Sequence, residues 1–155
     1  MLRVFDEERR SRLLAAYRAL PDPERKLCRF LAVLYVPIAV SNLMKCLNAS
    51  AIYTPQGIQW GAKASILPFL EQWWRDAELT DTVPVRNTVY WYLDRLLAEP
   101  LAREALDLGE FRTFDRAIDE TMGFSREEAG HSHMPSLSHV YRSYRNAIYE
   151  GDAGR

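Results

Sequence analysis

The sequence predicts an all-α fold of roughly seven helices, and three observations carry that expectation. Apolar residues recur at spacings of three and four in one segment after another, the separation that puts side chains on one helix face. Pro, Gly, Asn, Asp and Ser punctuate those segments at helix-length intervals. No stretch alternates apolar and polar residues convincingly over the length of a strand. The chain has 155 residues, 48% of them hydrophobic, with only 7 Gly and 8 Pro. That is enough to bury about two thirds of the unfolded surface in a single domain.

The first helix is expected over Asp6–Leu20, with Asp6 as N-cap and Leu13, Leu14, Tyr17 and Leu20 on one face. Pro21-Asp22-Pro23 stops it, and Asp22 is placed to cap a second helix that has Pro23 at its first position. That helix runs to about Tyr35 and buries Leu27, Phe30, Leu31 and Leu34. Val36-Pro37-Ile38 reads as extended, because a residue before proline avoids the helical region. A short third helix starts at Ser41-Asn42, with Leu43, Met44 and Leu47 inward, and a loop with Pro55 and Gly57 follows it. The fourth helix is expected from about Ser65 to Glu78, which puts Pro68 in its first turn. Thr80–Val85 reads as a linker, and Asn87–Ala98 as a fifth helix with Val89, Tyr90, Leu93, Leu96 and Leu97 on one side, broken by Pro100. Phe111–Met122 is a further helix, closed by Gly123. Ser136 caps a last one to about Glu150. One domain is therefore expected over 1–150, with a core at 24–79, a helical extension at 85–150 and a disordered tail at 151–155.

Residues Glu24 to Leu79 run helix, short extended piece, short helix, loop, longer helix. This order resembles the helix-turn-helix core of a winged-helix module. The carrying residues are Leu27, Phe30, Leu31 and Leu34, then Val36-Pro37-Ile38 at the first small strand, then Leu43, Met44 and Leu47 of the support helix. The segment from Leu67-Pro68-Phe69 to Ala77-Glu78-Leu79 stands where the recognition helix would be. Such modules occur in large bacterial ATPases and in helicase-like or regulatory proteins, so the resemblance implies a regulatory, assembly or DNA-processing role. Two departures bear on DNA reading. The outward candidates Gln59, Lys63, Ser65, Gln72 and Arg75 share their segment with two Trp and several acids. The expected wing is reduced to at most a minimal hairpin, since Thr80–Arg86 is short and lacks the usual turn residues apart from Asp81.

The formal net charge of −1 is a cancellation. Residues 1–36 carry +3, residues 37–80 zero, residues 81–130 −5 and residues 131–155 +1. The basic share lies on the first two helices. It makes Arg9, Arg10, Arg12, Arg25, Lys26 and Arg29, with Lys63 beyond them, the candidates for phosphate contact. Ordinary solvated helix faces would give the same counts, as would a dipolar module meeting partners of opposite sign.

Catalytic and cofactor motifs are not found: no G-x-S-x-G, phosphate-binding P-loop, dinucleotide glycine fingerprint or H-E-x-x-H occurs. An enzyme is not supported, and no cofactor is expected. His131-Ser132-His133 would need a third ligand from His139, Glu127 or Glu128 to hold a metal, and reads more simply as exposed loop histidine. Asp115, Asp119 and Glu120, interleaved with Arg112 and Arg116, read as surface ion pairs. Cys28 and Cys46 lack metal-ligand spacing and suit small buried positions, so a reducing, cytoplasmic setting is expected. No apolar run approaches the ~20 residues needed to span a bilayer.

The 18 aromatics are more informative. Adjacent aromatics on a helix cannot share one core face, so one of Trp73 and Trp74, and one of Tyr90, Trp91 and Tyr92, should stand at a boundary. Such residues either bury against the extra helices or form an exposed anchor. Tyr141, Tyr144 and Arg145 on the last helix make a second contact surface. The partner-binding candidates are therefore Trp73, Trp74, Tyr90, Trp91, Tyr141, Tyr144 and Arg145. The expectation is a non-enzymatic, cytoplasmic, helical module acting through protein contacts, by self-association or within a larger assembly. The alternative is DNA binding through the basic N-terminal helices.

Overall fold

The computed structural model describes the backbone of residues 2–122 and 137–153, and the side chains of residues 5–122 and 142–151. Among the described residues are seven helices, α1 (Leu2–Arg18), α2 (Asp22–Leu34), α3 (Val40–Ala49), α4 (Leu67–Ala77), α5 (Arg95–Asp107), α6 (Phe111–Met122) and α7 (Leu137–Ala153). Three strands accompany them, β1 (Ile38–Ala39), β2 (Thr80–Val85) and β3 (Thr88–Leu93), in one antiparallel sheet of order β1-β3-β2. The fold is mostly α, with a sheet that the helical spacing alone did not indicate.

Helix α2 is the centre of the core. Every residue from Leu27 to Leu34 is buried, as expected for a helix covered on all sides. It packs against α1, β3, α5 and α6, and Phe30 meets Phe114 edge-on at 5.3 Å. Tyr35 ends it in the left-handed region at φ 67, with its N–H on the Leu31 carbonyl. Pro23 does lie in the first turn, but Asp22 is the first helical residue rather than the cap, and its carboxylate pairs with Arg25. Helix α1 starts at Leu2, so Asp6 lies inside it and caps nothing. Leu13 and Tyr17 are buried, alone among its described side chains.

The largest correction concerns 80–98, where a linker and a helix were expected. Six-residue strands β2 and β3 form a hairpin, paired from Thr80↔Leu93 to Val85↔Thr88. Thr88-Val89-Tyr90-Trp91-Tyr92-Leu93 is β-branched and aromatic, the composition a half-buried pleated surface favours. With a period of two, Trp91 and Leu93 turn into the core with Thr80, while Tyr90 and Tyr92 stay half-buried on the other face. Val89, Tyr90 and Leu93 match a helical spacing only by coincidence. The turn is Arg86-Asn87, with Arg86 at φ 57. A type II′ hairpin turn needs positive φ at its first central residue and usually marks it with Gly. Here no Gly announces it.

Helix α5 then begins at Arg95, capped by Asp94, whose Oδ1 accepts from the Leu96 N–H at 2.9 Å. Pro100 does not break α5 but sits inside it. Its missing N–H costs one backbone bond, which burial of Leu97, Ala98, Leu101, Ala102 and Ala105 outweighs. The tail expected to fray from Gly151 instead continues α7 to Ala153. The proposed caps Gly123 and Ser136, the candidates Glu127, Glu128, His131 and His133, and the side chains of His139 and Tyr141 lie outside the described residues.

Candidate interaction surface

Arginines from the first two helices and from α7 pair with carboxylates of the chain, some in the core and some at its surface. Arg29 is buried (8% exposed) and makes a two-pronged bridge to Glu110, Nε to Oε2 at 2.8 Å and Nη2 to Oε1 at 2.9 Å. Its Nη1 donates to the Tyr17 hydroxyl at 3.0 Å, whose own ionisation burial pushes up to about 12. Arg9 Nη2 lies 2.6 Å from Asp94 Oδ2, Arg12 Nη2 3.6 Å from Glu78 Oε2, and Arg25 pairs with Asp22. Four of the seven phosphate candidates thus pair with carboxylates of their own chain, Arg29 in the core and Arg9, Arg12 and Arg25 at the surface. Arg29 is the plainest correction, because a buried guanidinium held by a carboxylate cannot reach a phosphate. Arg10 and Lys63 are exposed and Lys26 is half-buried.

Helix α7 brings two more arginines inward. Arg142 is 1% exposed and bridges Asp115 at 2.5 Å and Asp119 at 2.8 Å. Asn146 Nδ2 donates to Asp115 Oδ1 at 2.8 Å and to the Val33 carbonyl at 3.2 Å. Arg145 donates to Glu99 at 2.9 Å, to the Ala32 carbonyl at 2.9 Å and to the Ala98 carbonyl at 3.0 Å. Its guanidinium also lies over the rings of Tyr35 and Tyr149, 4.5 and 5.2 Å from their centres. Ala32 and Val33 belong to the last turn of α2, where carbonyls have no partner within the helix. Helix α7 therefore caps α2 through side chains, and Arg145 adds a positive charge at the negative end of its dipole. Arg145, read as a partner contact, is occupied within its own chain.

The surface formed by α4 and the hairpin is different in character. Trp73 is buried at 2% exposed and its Nε1 donates to Glu24 at 3.1 Å, while Trp74 is 45% exposed. The pair divides between core and boundary as two adjacent helical residues must. Trp74 meets Trp91 edge-on at 5.9 Å, which ties α4 to the inner face of the hairpin. Trp91 itself is a core residue, 4% exposed, and not a free contact. By alternation Pro84 and Val89 share that face beyond the core, both exposed, with Val85 exposed at the tip. Trp74 also borders a cleft of about 370 Å³ whose polar walls are Arg9, Arg75, Glu78, Asp81 and Asp94. This assembly was not legible in the sequence, since it needs Val89 and Trp91 on one strand face.

Helices α6 and α7 enclose a second cleft, about 380 Å³ and lined by Arg112, Asp115, Arg116, Asp119, Glu120 and Glu150. A hydrogen bond to Asp115, burial and the Asp115 charge push the Glu150 carboxyl up to about 7, against the pull of Arg112. Neither cleft resembles an apolar ligand pocket with a few convergent polar groups. Among the described residues no three His, Cys, Asp or Glu side chains gather to hold a metal ion. Cys28 and Cys46 are fully buried, and burial raises both thiols, Cys46 to about 11. No helix among the described residues is long and apolar enough to cross a membrane. Comparison of the chain with protein-family models, with curated proteins and with solved structures returns no match.

Proposed function

We propose that this chain is a non-enzymatic interaction module with a winged-helix-like core, whose recognition helix and wing meet a protein rather than DNA. The core reading is supported by the order α2, β1, α3, α4, β2, β3 and by the sheet order β1-β3-β2. In a winged helix the same sequence of elements gives a support helix, a recognition helix and a hairpin wing. The observation that carries the functional part is the makeup of that recognition face. It offers half-exposed Trp74 beside Pro84 and Val89, with Asp76, Glu78 and Asp81 also exposed. The exposed cations on α4 and the hairpin are Arg75 and Arg86, outnumbered by those carboxylates, where DNA would call for several Arg and Lys on phosphates and base edges. An accessible Trp next to apolar side chains is the usual makeup of a protein hot spot. Architecture alone does not assign function, so the side chains decide.

Trp74 supplies its own assay. The other three tryptophans, Trp60, Trp73 and Trp91, are at most 5% exposed, so acrylamide quenching of fluorescence reads Trp74. Partner engagement should protect it, and Val89→Asp should abolish that protection and the association together. Gel shifts at low salt should show no discrete complex with duplex DNA. Tight, salt-sensitive DNA binding that Arg10→Ala and Lys63→Ala weaken would overturn the proposal in favour of phosphate contact by the basic helices.

A further inference from the structure

We infer that the outward face of α7 is a contact for a second copy of this chain, the two helices pairing about a two-fold axis. This names one contact of the interaction module proposed above and rests on that reading. The described part of α7 has its polarity reversed. Arg142 and Asn146 are each 1% exposed and Tyr149 7%, with Arg145 and Glu150 half-buried beside them. The residues turned to solvent are Ser143, Tyr144, Ala147, Ile148 and Gly151, and none carries a charge. Tyr144 is 71% and Ile148 54% exposed. A surface helix ordinarily does the opposite, with charge outward and apolar residues inward. Helix α6, packed against α7, follows that rule: Arg112, Arg116, Asp119 and Glu120 are all exposed. The five outward positions fall within one arc of the helix, at spacings of one, three and four, so they form a single face.

The charge pattern points to a second copy as the occupant. An isologous contact sets a surface against itself, so any charge on it meets its own sign or is buried unpaired. This face is free of both penalties. A strongly acidic or basic partner would find nothing on it to pair with. Ser143, Ala147 and Gly151 lie along one side of the face and Tyr144 and Ile148 along the other. Large side chains of one copy can thus seat over the small residues of the other. At Gly151 a Cβ would meet no described atom of the chain within 4 Å. Two or three helical turns bury less than a standard interface, so a dissociation constant on the order of 10–100 µM is expected.

Sedimentation equilibrium from about 1 µM to 1 mM brackets that constant and should show a reversible monomer–dimer equilibrium. Ile148→Arg and Tyr144→Glu, both at exposed positions, should leave circular dichroism unchanged and weaken the dimer at least tenfold. Because both native cysteines are buried, Ala147→Cys can report the two-fold contact. It should oxidise to a disulfide-linked dimer faster than Arg18→Cys on exposed α1. A chain that stays monomeric throughout, or a dimer indifferent to Ile148→Arg, overturns the inference. A dimer lost on Val89→Asp but kept in Ile148→Arg would move self-association to the hairpin face. That result sinks the α7 contact and leaves the interaction-module reading standing.

Discussion

Replacing Arg142 by Met should destabilise the fold by about 3 kcal/mol, and the structure says where that figure comes from. Arg142 holds two carboxylates of unequal worth. Asp119 is 53% exposed on its side chain, and a bridge to so wet a partner contributes at most ~1 kcal/mol. Asp115 is only 12% exposed on its side chain. Removing the cation from such a partner leaves a buried charge uncompensated, which costs roughly 3–5 kcal/mol. Asn146 still donates to Asp115 in the variant, which places the loss near the low end of that range. For a domain of this size the melting temperature should fall by roughly 6–12 °C. Urea unfolding followed by far-ultraviolet circular dichroism measures the free energy, and hydrogen exchange across α7 shows whether that helix loosens first. The companion variant Arg142→Met with Asp115→Leu removes both charges and should recover most of the loss. A single variant that costs less than ~1 kcal/mol would refute the reasoning. So would a double variant as unstable as the single one, because then α7 is held by packing around Tyr149 and not by the ionic seam.

Glu150 should make stability pH-dependent near neutrality. Its carboxyl titrates at about 7 in the folded chain, above its ordinary 4.5. Its contribution is therefore complete below pH ~4.5 and is lost as pH rises through 7. The cleft is open to solvent, so the loss should be on the order of 1 kcal/mol rather than the several implied by the full shift. Urea midpoints from pH 5 to 8 should slope downward in the wild type beyond the slope of Glu150→Gln, and equal slopes would count against a raised Glu150 carboxyl. At the hairpin tip, Arg86→Gly should raise stability by ~0.5 kcal/mol, since Gly accepts the positive φ that Arg tolerates at a cost. Arg86→Val should lower it by about 1 kcal/mol because a β-branched residue fits that region worst. A thermal melt in which the valine variant outlasts the glycine one would mean the turn relaxes to another form.

Helical parts of the fold were legible wherever the pattern was local. Phe111–Met122 was expected as a helix and α6 has those bounds. Leu27, Phe30, Leu31 and Leu34 are buried as expected, and Pro68 lies in the first turn of α4. The hairpin was not legible because its evidence is not local. The strand content of 88–93 depends on pairing with 80–85, and Arg86-Asn87 closes that pair without a Gly. A six-residue run containing Val89, Tyr90 and Leu93 fits a helix face and a strand equally well until its partner is known. The run's β-branched and aromatic residues were the available signal, outweighed by the continuing spacing into Leu96 and Leu97. The aromatic reading fared better on local grounds, since Trp73 and Trp74 must diverge on any helix.

The candidate surfaces show a sharper limit, set by the arginines. A count of +3 against −5 cannot say whether opposite charges face each other or the solvent. The structure pairs Arg9 with Asp94 and Arg29 with Glu110, bringing front-third bases to third-quarter acids. It pairs Arg142 with Asp115 and Asp119, and Arg145 with Glu99, so the final segment answers the same acids. These contacts span 23 to 85 residues along the chain, beyond anything a helical wheel can reveal. Their effect is to neutralise charge within the chain, and two aromatic surfaces remain outside, one around Trp74 among charged neighbours and one, uncharged, along Tyr144 and Ile148. Arg29 and Arg142, the buried arginines among the described residues, are held by carboxylates of their own chain and cannot reach a phosphate, so a basic count overstates the charge open to a partner.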